Sequence, residues 1–136
     1  MSEENKITVL VVEPMKPPKV VEIPETLESM QAVVDGYIQE IMPFDDEVAL
    51  VCNEEGKVNG LPMNRAIYNE DGQMIDIIAG KFFICSAPFT SENFESLSKE
   101  QQEKYANKFK DPEVFIQSGN GLTAISIPPK TKNYER

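Results

Sequence analysis

The sequence contains no histidine among its 136 residues. Histidine is the side chain best suited to proton transfer near neutral pH, and it is the commonest ligand of transition metals. Its absence excludes the Ser-His and Cys-His pairs of nucleophilic catalysis. The sequence also lacks the glycine-rich loops that cradle phosphates in nucleotide-binding proteins. We therefore expect a protein without catalytic activity of its own and without a cofactor or bound metal.

Cysteines and long apolar runs are also scarce. The two cysteines, Cys52 and Cys85, have a spacing that matches no zinc or redox motif, so buried free thiols in a reducing compartment are expected. No run approaches the roughly 20 apolar residues that span a bilayer, and Ile7–Val12 is too short for an export signal. These features predict a cytoplasmic protein that does not bind membranes.

Basic residues are outnumbered, and the formal net charge is −10. Residues 1–50 hold eleven acids and three bases, a balance of −8, with one cluster at Asp45, Asp46 and Glu47. Such a chain repels phosphate backbones, so direct binding of nucleic acid is not expected. An acidic face formed by this cluster could attract a basic partner protein. The alternative is that the charge serves solubility alone.

Short apolar runs alternate with turn residues along the whole chain, which predicts more strands than helices. A mostly antiparallel α+β sheet of short strands and hairpins, with two main helices on one side, is the expected fold. A single domain should span residues 7–128, between a flexible N-terminus at 1–6 and a flexible tail at 129–136. The predicted strands are Ile7–Val12, Lys19–Ile23, Tyr37–Met42, Val48–Cys52, Met74–Ala79, Lys81–Ser86, Val114–Gln117 and Leu122–Ile127.

Two segments carry helix signals. Thr26 is a predicted N-cap, and Gly36 is the predicted left-handed residue at the end of the first helix. Ser98 and Gln101 form a capping-box sequence, which predicts a second helix from Lys99 to about Phe109. The second helix has a thin apolar face and is expected to lie on the surface.

A polar segment from Cys52 to Arg65 follows the buried run at Val48 and is the main candidate site. We predict that its polar residues form one rim; they are Asn53, Glu54, Glu55, Asn64 and Arg65. The Arg65 guanidinium either pairs with Glu54 or Glu55 to brace the loop, or binds an anionic ligand or partner. The sequence leaves both interpretations open.

Several short motifs carry a resemblance to a known family. They are Gly36-Tyr-Ile38, Asn53-Glu-Glu-Gly-Lys57, Asn59-Gly-Leu-Pro62 followed by Asn64-Arg65, and Ile77-Ile-Ala-Gly80. Over about residues 7–87 the chain resembles the uncharacterised family called domain of unknown function 3846, found in phages and bacterial mobile elements. The resemblance implies an accessory role in a mobile element, and it carries no assigned activity or catalytic residue.

Three functions are therefore expected, in this order. The first is a binding module whose acidic surface engages a basic host or element protein. The second is a domain that captures a small anionic or nucleotide-like ligand with the loop from Asn53 to Arg65. The third is a hydrolase with a carboxylate-bound metal. The oligomeric state is not predicted by the sequence.

Overall fold

A computed structural model describes residues 5–119 and 121–128. Within these residues the chain forms two α-helices and nine β-strands, an α+β fold dominated by antiparallel sheet. In chain order the elements are β1 (Lys6–Val12), β2 (Lys19–Pro24), α1 (Leu27–Val34), β3 (Ile38–Ile41), β4 (Val48–Asn53), β5 (Met63–Tyr68), β6 (Met74–Ala79), β7 (Phe82–Ser86), α2 (Lys99–Lys108), β8 (Glu113–Ser118) and β9 (Gly121–Ser126). The predicted tail at 129–136 and most of the predicted N-terminal segment lie outside the described residues.

The centre of the fold is a five-stranded antiparallel sheet in the order β2-β1-β7-β4-β3 among the described residues. Its inner strands are apolar on both faces because the sheet is covered on both sides. In β1, for example, Val9 and Val11 point to one core while Leu10 and Val12 point to the other. This two-sided burial explains the continuous apolar runs in the sequence.

The two helices cover opposite faces of this sheet. Met30 and Val34 of α1 pack into one core, whereas Tyr105 of α2 and the adjoining Phe109 pack into the other. The prediction that both helices lie on one side was therefore wrong. The apolar face of α2 is thin, but two large aromatic rings suffice to attach an otherwise polar helix to the second face of the sheet.

Most local predictions are confirmed. β1 and β2 form an antiparallel hairpin, and so do β8 and β9. The Thr26 side chain accepts a hydrogen bond from the Ser29 amide as the N-cap of α1. Ser98 and Gln101 form the predicted capping box of α2. These features depend on neighbouring residues, which is why local sequence predicts them.

The end of α1 differs from the prediction. Asp35, with φ 64°, takes the left-handed conformation that was assigned to Gly36. Gly36 is instead needed because the Asn53 side chain packs against it: a Cβ at this position would lie 2.6 Å from Asn53 Nδ2. Aspartate tolerates the left-handed region better than most residues, so the helix stops one residue earlier than expected.

The segment around Gly80 also differs. β6 and β7 are separated in the chain only by Gly80 and Lys81, but they belong to different sheets. β6 pairs with β5, a strand that the sequence analysis missed because it begins in the polar segment Met63-Asn64-Arg65. Gly80, with φ 85°, turns the chain from the β5–β6 hairpin into the central sheet.

Candidate functional site

Asn53 lies at the end of β4 and is buried. Its side-chain amide donates to the carbonyl oxygens of Val34 (3.0 Å) and Asp35 (3.2 Å). Its Oδ1 atom accepts a hydrogen bond from the Glu55 amide at 2.7 Å. Asn53 therefore satisfies carbonyls at the C-terminal end of α1 and shapes the following turn.

Arg65 lies on β5 and is completely buried. Its guanidinium donates five hydrogen bonds, two to the Phe109 carbonyl, one to the Lys16 carbonyl, and two to the carbonyl and Oδ1 atoms of Asn64. A guanidinium has five N–H groups, so this number leaves no donor for a ligand. Arg65 braces the fold, but through carbonyl oxygens and an amide rather than through Glu54 or Glu55.

Burial lowers the pKa of the Arg65 guanidinium, and the nearby carboxylates of Glu113 and Asp111 partly offset this effect. An arginine remains protonated in such a site, so its positive charge lies inside the fold. The Phe109 carbonyl that it contacts follows the last turn of α2. A buried cation at a helix C-terminus is favourable because the carbonyls there carry partial negative charge.

The remaining residues of the predicted rim are exposed. Glu54 and Glu55 lie in the turn after β4 and line a cavity of about 290 Å³ with Gln39, Lys57 and Asp76. Lys57 and Asp76 form an ion pair at 2.7 Å across this cavity. The structure therefore does not bring Asn64 and Arg65 to the same surface as the two glutamates.

The acidic cluster at 45–47 also makes internal contacts. Asp46 Oδ2 accepts hydrogen bonds from the Tyr105 hydroxyl (2.9 Å) and from Lys104 Nζ (3.3 Å). Glu47 Oε1 accepts a hydrogen bond from the Phe89 amide at 2.8 Å. Asp45 is exposed. Two of the three predicted partner-binding acids thus hold neighbouring segments in place.

A groove of about 440 Å³ lies on the α1 side of the sheet. Three segments form it, the start of α1, the end of β3 and the loop after β7. We call it the acidic groove. Its lining residues are Glu25, Thr26, Leu27, Met30, Glu40, Met42, Ala87, Pro88, Phe89, Ser91, Glu92, Asn93 and Phe94.

Three carboxylates lie along the acidic groove, those of Glu25, Glu40 and Glu92. None of the described residues that line it is basic, and no ion pair between described residues involves these three carboxylates, so the lining favours positive charge. Sequence reasoning missed this site because its three segments are distant in sequence. The only available signal was the excess of acids in residues 1–50, which includes Glu25 and Glu40.

Both cysteines are free and buried. Burial, with a smaller effect of the Glu40 carboxylate, raises the pKa of the Cys85 thiol to about 12. Burial, with a smaller effect of Asp76, raises the pKa of the Cys52 thiol to about 11. Both thiols are therefore protonated and poor nucleophiles near neutral pH.

In the described part of the chain, no group of three or more His, Cys, Asp or Glu side chains is placed to hold a metal ion. Among the same residues, no helix has the length and apolar character needed to cross a membrane.

The family model described as Domain of unknown function (DUF3846) matches residues 7–110. The chain belongs to this family. The match extends beyond the range that the sequence motifs indicated and includes α2. No curated protein and no solved structure gives a significant match.

The motif residues that indicated this family contact one another inside the fold. Asn64 donates a hydrogen bond to the Gly80 carbonyl at 2.8 Å. A Cβ at Gly80 would lie 2.7 Å from Leu61 Cδ1, and a Cβ at Gly56 would lie 2.7 Å from the Ala79 carbonyl oxygen. The motifs therefore join the β5–β6 hairpin to the central sheet. They specify the architecture, and the acidic groove lies elsewhere.

Proposed function

We propose that this protein is a non-enzymatic binding module that engages a basic partner protein through the acidic groove. The observation that carries the proposal is the combination of exposed apolar side chains and unneutralised carboxylates in one concave surface. The family resemblance to proteins of phages and mobile elements suggests that the partner is a host or element protein. We therefore propose the acidic groove as the partner-binding face, instead of the predicted cluster at residues 45–47.

The apolar part of the groove gives the expected binding energy. Phe89 is 75% exposed, Leu27 55% and Met42 44%, although all three are large apolar side chains. Exposed apolar patches rimmed by polar residues mark interaction sites, because covering them removes apolar surface from water. Aromatic side chains, phenylalanine included, are enriched in the cores of protein interfaces, so Phe89 is the expected apolar anchor.

The carboxylates give the expected selectivity. Glu25, Glu40 and Glu92 favour Lys or Arg on the partner and repel acidic segments. Attraction between surface charges also speeds association and weakens as salt screens it. A partner that combines large apolar side chains with several basic ones would match both properties of the groove.

The proposal is tested by fluorescence anisotropy with a labelled peptide of alternating lysine and valine residues. The protein should bind this peptide and should not bind a matched peptide of alternating glutamate and valine. The triple variant Glu25→Gln, Glu40→Gln, Glu92→Gln should bind the basic peptide at least about tenfold more weakly, a loss of about 1.4 kcal/mol. Phe89→Ala should weaken binding without changing the net charge.

A matched control separates the groove from net charge. Glu70, Asp71 and Glu103 are exposed acids outside the groove. Their replacement by Gln, Asn and Gln removes the same charge and should leave binding within about twofold, because distant surface charges are screened. Equal losses in the two triple variants, or no binding of the basic peptide to the unmodified protein, would contradict the proposal.

A further inference from the structure

The central sheet has two edges within the described residues, β2 on one side and β3 on the other. Native proteins protect exposed edges with charged side chains, especially lysine, with proline, with irregular backbone or by keeping the strand short, since unpaired N–H and C=O groups invite another strand. β2 is protected by Pro17, Pro18, Lys19 and Pro24. β3 is short and its one charged residue is Glu40, so its edge disfavours acidic strands, but it includes neither lysine nor proline to repel a basic one.

The register of β3 shows which of its backbone N–H and C=O groups point away from β4. β3 and β4 pair without a shift from Ile38 to Ile41, and the Tyr37 carbonyl accepts a hydrogen bond from the Glu54 amide. In an antiparallel ladder, alternate residues direct their N–H and C=O groups to the same neighbour. Residues 37, 39 and 41 therefore bond to β4, while Ile38 and Glu40 direct their backbone groups outward.

Acidic depressions flank this edge on both faces of the sheet. Glu40 and Met42 line the acidic groove on the α1 face. Gln39, which precedes Glu40 in the sequence, lines the opposite cavity that contains Glu54 and Glu55. An added strand directs successive side chains to alternate faces, so its side chains would reach both depressions.

We propose that the partner binds as an extended basic segment that adds to β3 as a sixth strand. The inference rests on the proposed function and specifies how the partner is held. Backbone hydrogen bonds to Ile38 and Glu40 would supply affinity, as in other cases of β-strand addition. Side chains on the α1 face would meet the acidic groove, with its carboxylates as well as its apolar side chains, and those on the other face would meet Glu54 and Glu55.

The first test is amide hydrogen exchange measured by NMR with the lysine–valine peptide. At saturation, exchange of the Ile38 and Glu40 amides should slow by about tenfold or more, because new hydrogen bonds protect them. The opposite edge provides a matched control. The Glu25 amide donates to the Asn5 carbonyl, so Val20 and Glu22 are the outward residues of β2, and their exchange should not change.

The second test changes the peptide and leaves the protein intact. A lysine–valine peptide with every backbone amide N-methylated keeps its charges and side chains but cannot donate backbone hydrogen bonds. It should bind at least about tenfold more weakly, since strand addition depends on those bonds. Groove-dependent binding with unchanged β3 exchange and equal affinity for the N-methylated peptide would overturn strand addition while leaving the proposed function in place. Failure of the unmodified peptide to bind would overturn both.

Discussion

The carboxylate of Glu47 accepts a hydrogen bond from the backbone amide of Phe89, with 2.8 Å between Oε1 and N. The Glu47 carbonyl also accepts one from the Ala87 amide at 2.8 Å. A residue just before β4 thus holds the loop that forms one wall of the acidic groove. Glu47 has a positioning role toward the proposed site, although it does not line the groove.

Replacement of Glu47 by Ala should loosen this loop. One hydrogen bond to a carboxylate contributes about 1 kcal/mol at an exposed site, so the Phe89 amide should exchange about fivefold faster. NMR hydrogen exchange measures this change, and the Ala87 amide provides an internal control because its acceptor is a backbone carbonyl. Unchanged exchange at Phe89 would show that the side chain of Glu47 does not hold the loop.

Replacement of Arg65 by Met should destabilise the fold strongly. The change leaves the buried carbonyl oxygen of Phe109 without its donors and also removes the part-buried hydrogen bond to the Lys16 carbonyl, so the free energy of unfolding should fall by about 3 kcal/mol or more. Urea denaturation measures this loss. Lys57→Met, which breaks an exposed ion pair, is the control and should cost less than about 1 kcal/mol.

The same variant separates the two interpretations of Arg65 that the sequence left open. A loss of stability below about 1 kcal/mol would contradict the structural role, because a surface ligand contact contributes little to folding.

Gly36 and Asn53 should show coupled effects on stability. Gly36→Ala places a Cβ 2.6 Å from Asn53 Nδ2, which forces one of them to move. Asn53→Ala removes the hydrogen bonds to the end of α1 and should cost about 1–3 kcal/mol. The double variant should be more stable than the sum of the single effects predicts, by at least about 0.5 kcal/mol. Strict additivity in urea denaturation would refute this contact.

Asp46 should make stability depend on pH. Burial alone would raise the pKa of its carboxyl, but hydrogen bonds from Tyr105, the Glu47 amide and Lys104 lower the pKa below its ordinary 3.8. A lowered folded-state pKa means that the contribution to stability is present above 3.8 and is lost as pH falls through the folded-state value.

Asp46→Asn is the variant that isolates this contribution. It should be less stable than the unmodified protein above pH 3.8, and the difference should shrink at lower pH. Urea denaturation on both sides of this value measures the difference. A difference that stays constant across the range would contradict the role of the ionised carboxylate.

Features determined by neighbouring residues could be predicted from the sequence. The Thr26 cap, the Ser98–Gln101 capping box and the two hairpins depend on side chains and turns within a few residues. The buried strands could be predicted because both faces of the central sheet are covered, which makes their sequences continuously apolar.

Features determined by distant contacts could not be predicted. The polar residues Asn64 and Arg65 indicated the rim of a loop, yet they lie on a buried strand because carbonyls 44 and 49 residues away accept the hydrogen bonds of Arg65. The acidic groove has no continuous motif for the same reason. Its walls come from α1, β3 and the loop after β7, which only the folded sheet brings together.

An NMR chemical-shift map of the protein titrated with the lysine–valine peptide locates the binding surface residue by residue. Binding in the acidic groove predicts that the largest shifts belong to the groove and its edge strand, including Leu27, Glu40, Met42 and Phe89. Shifts confined to the turn at Asn53–Gly56, or spread evenly over all acidic surface residues, would contradict it.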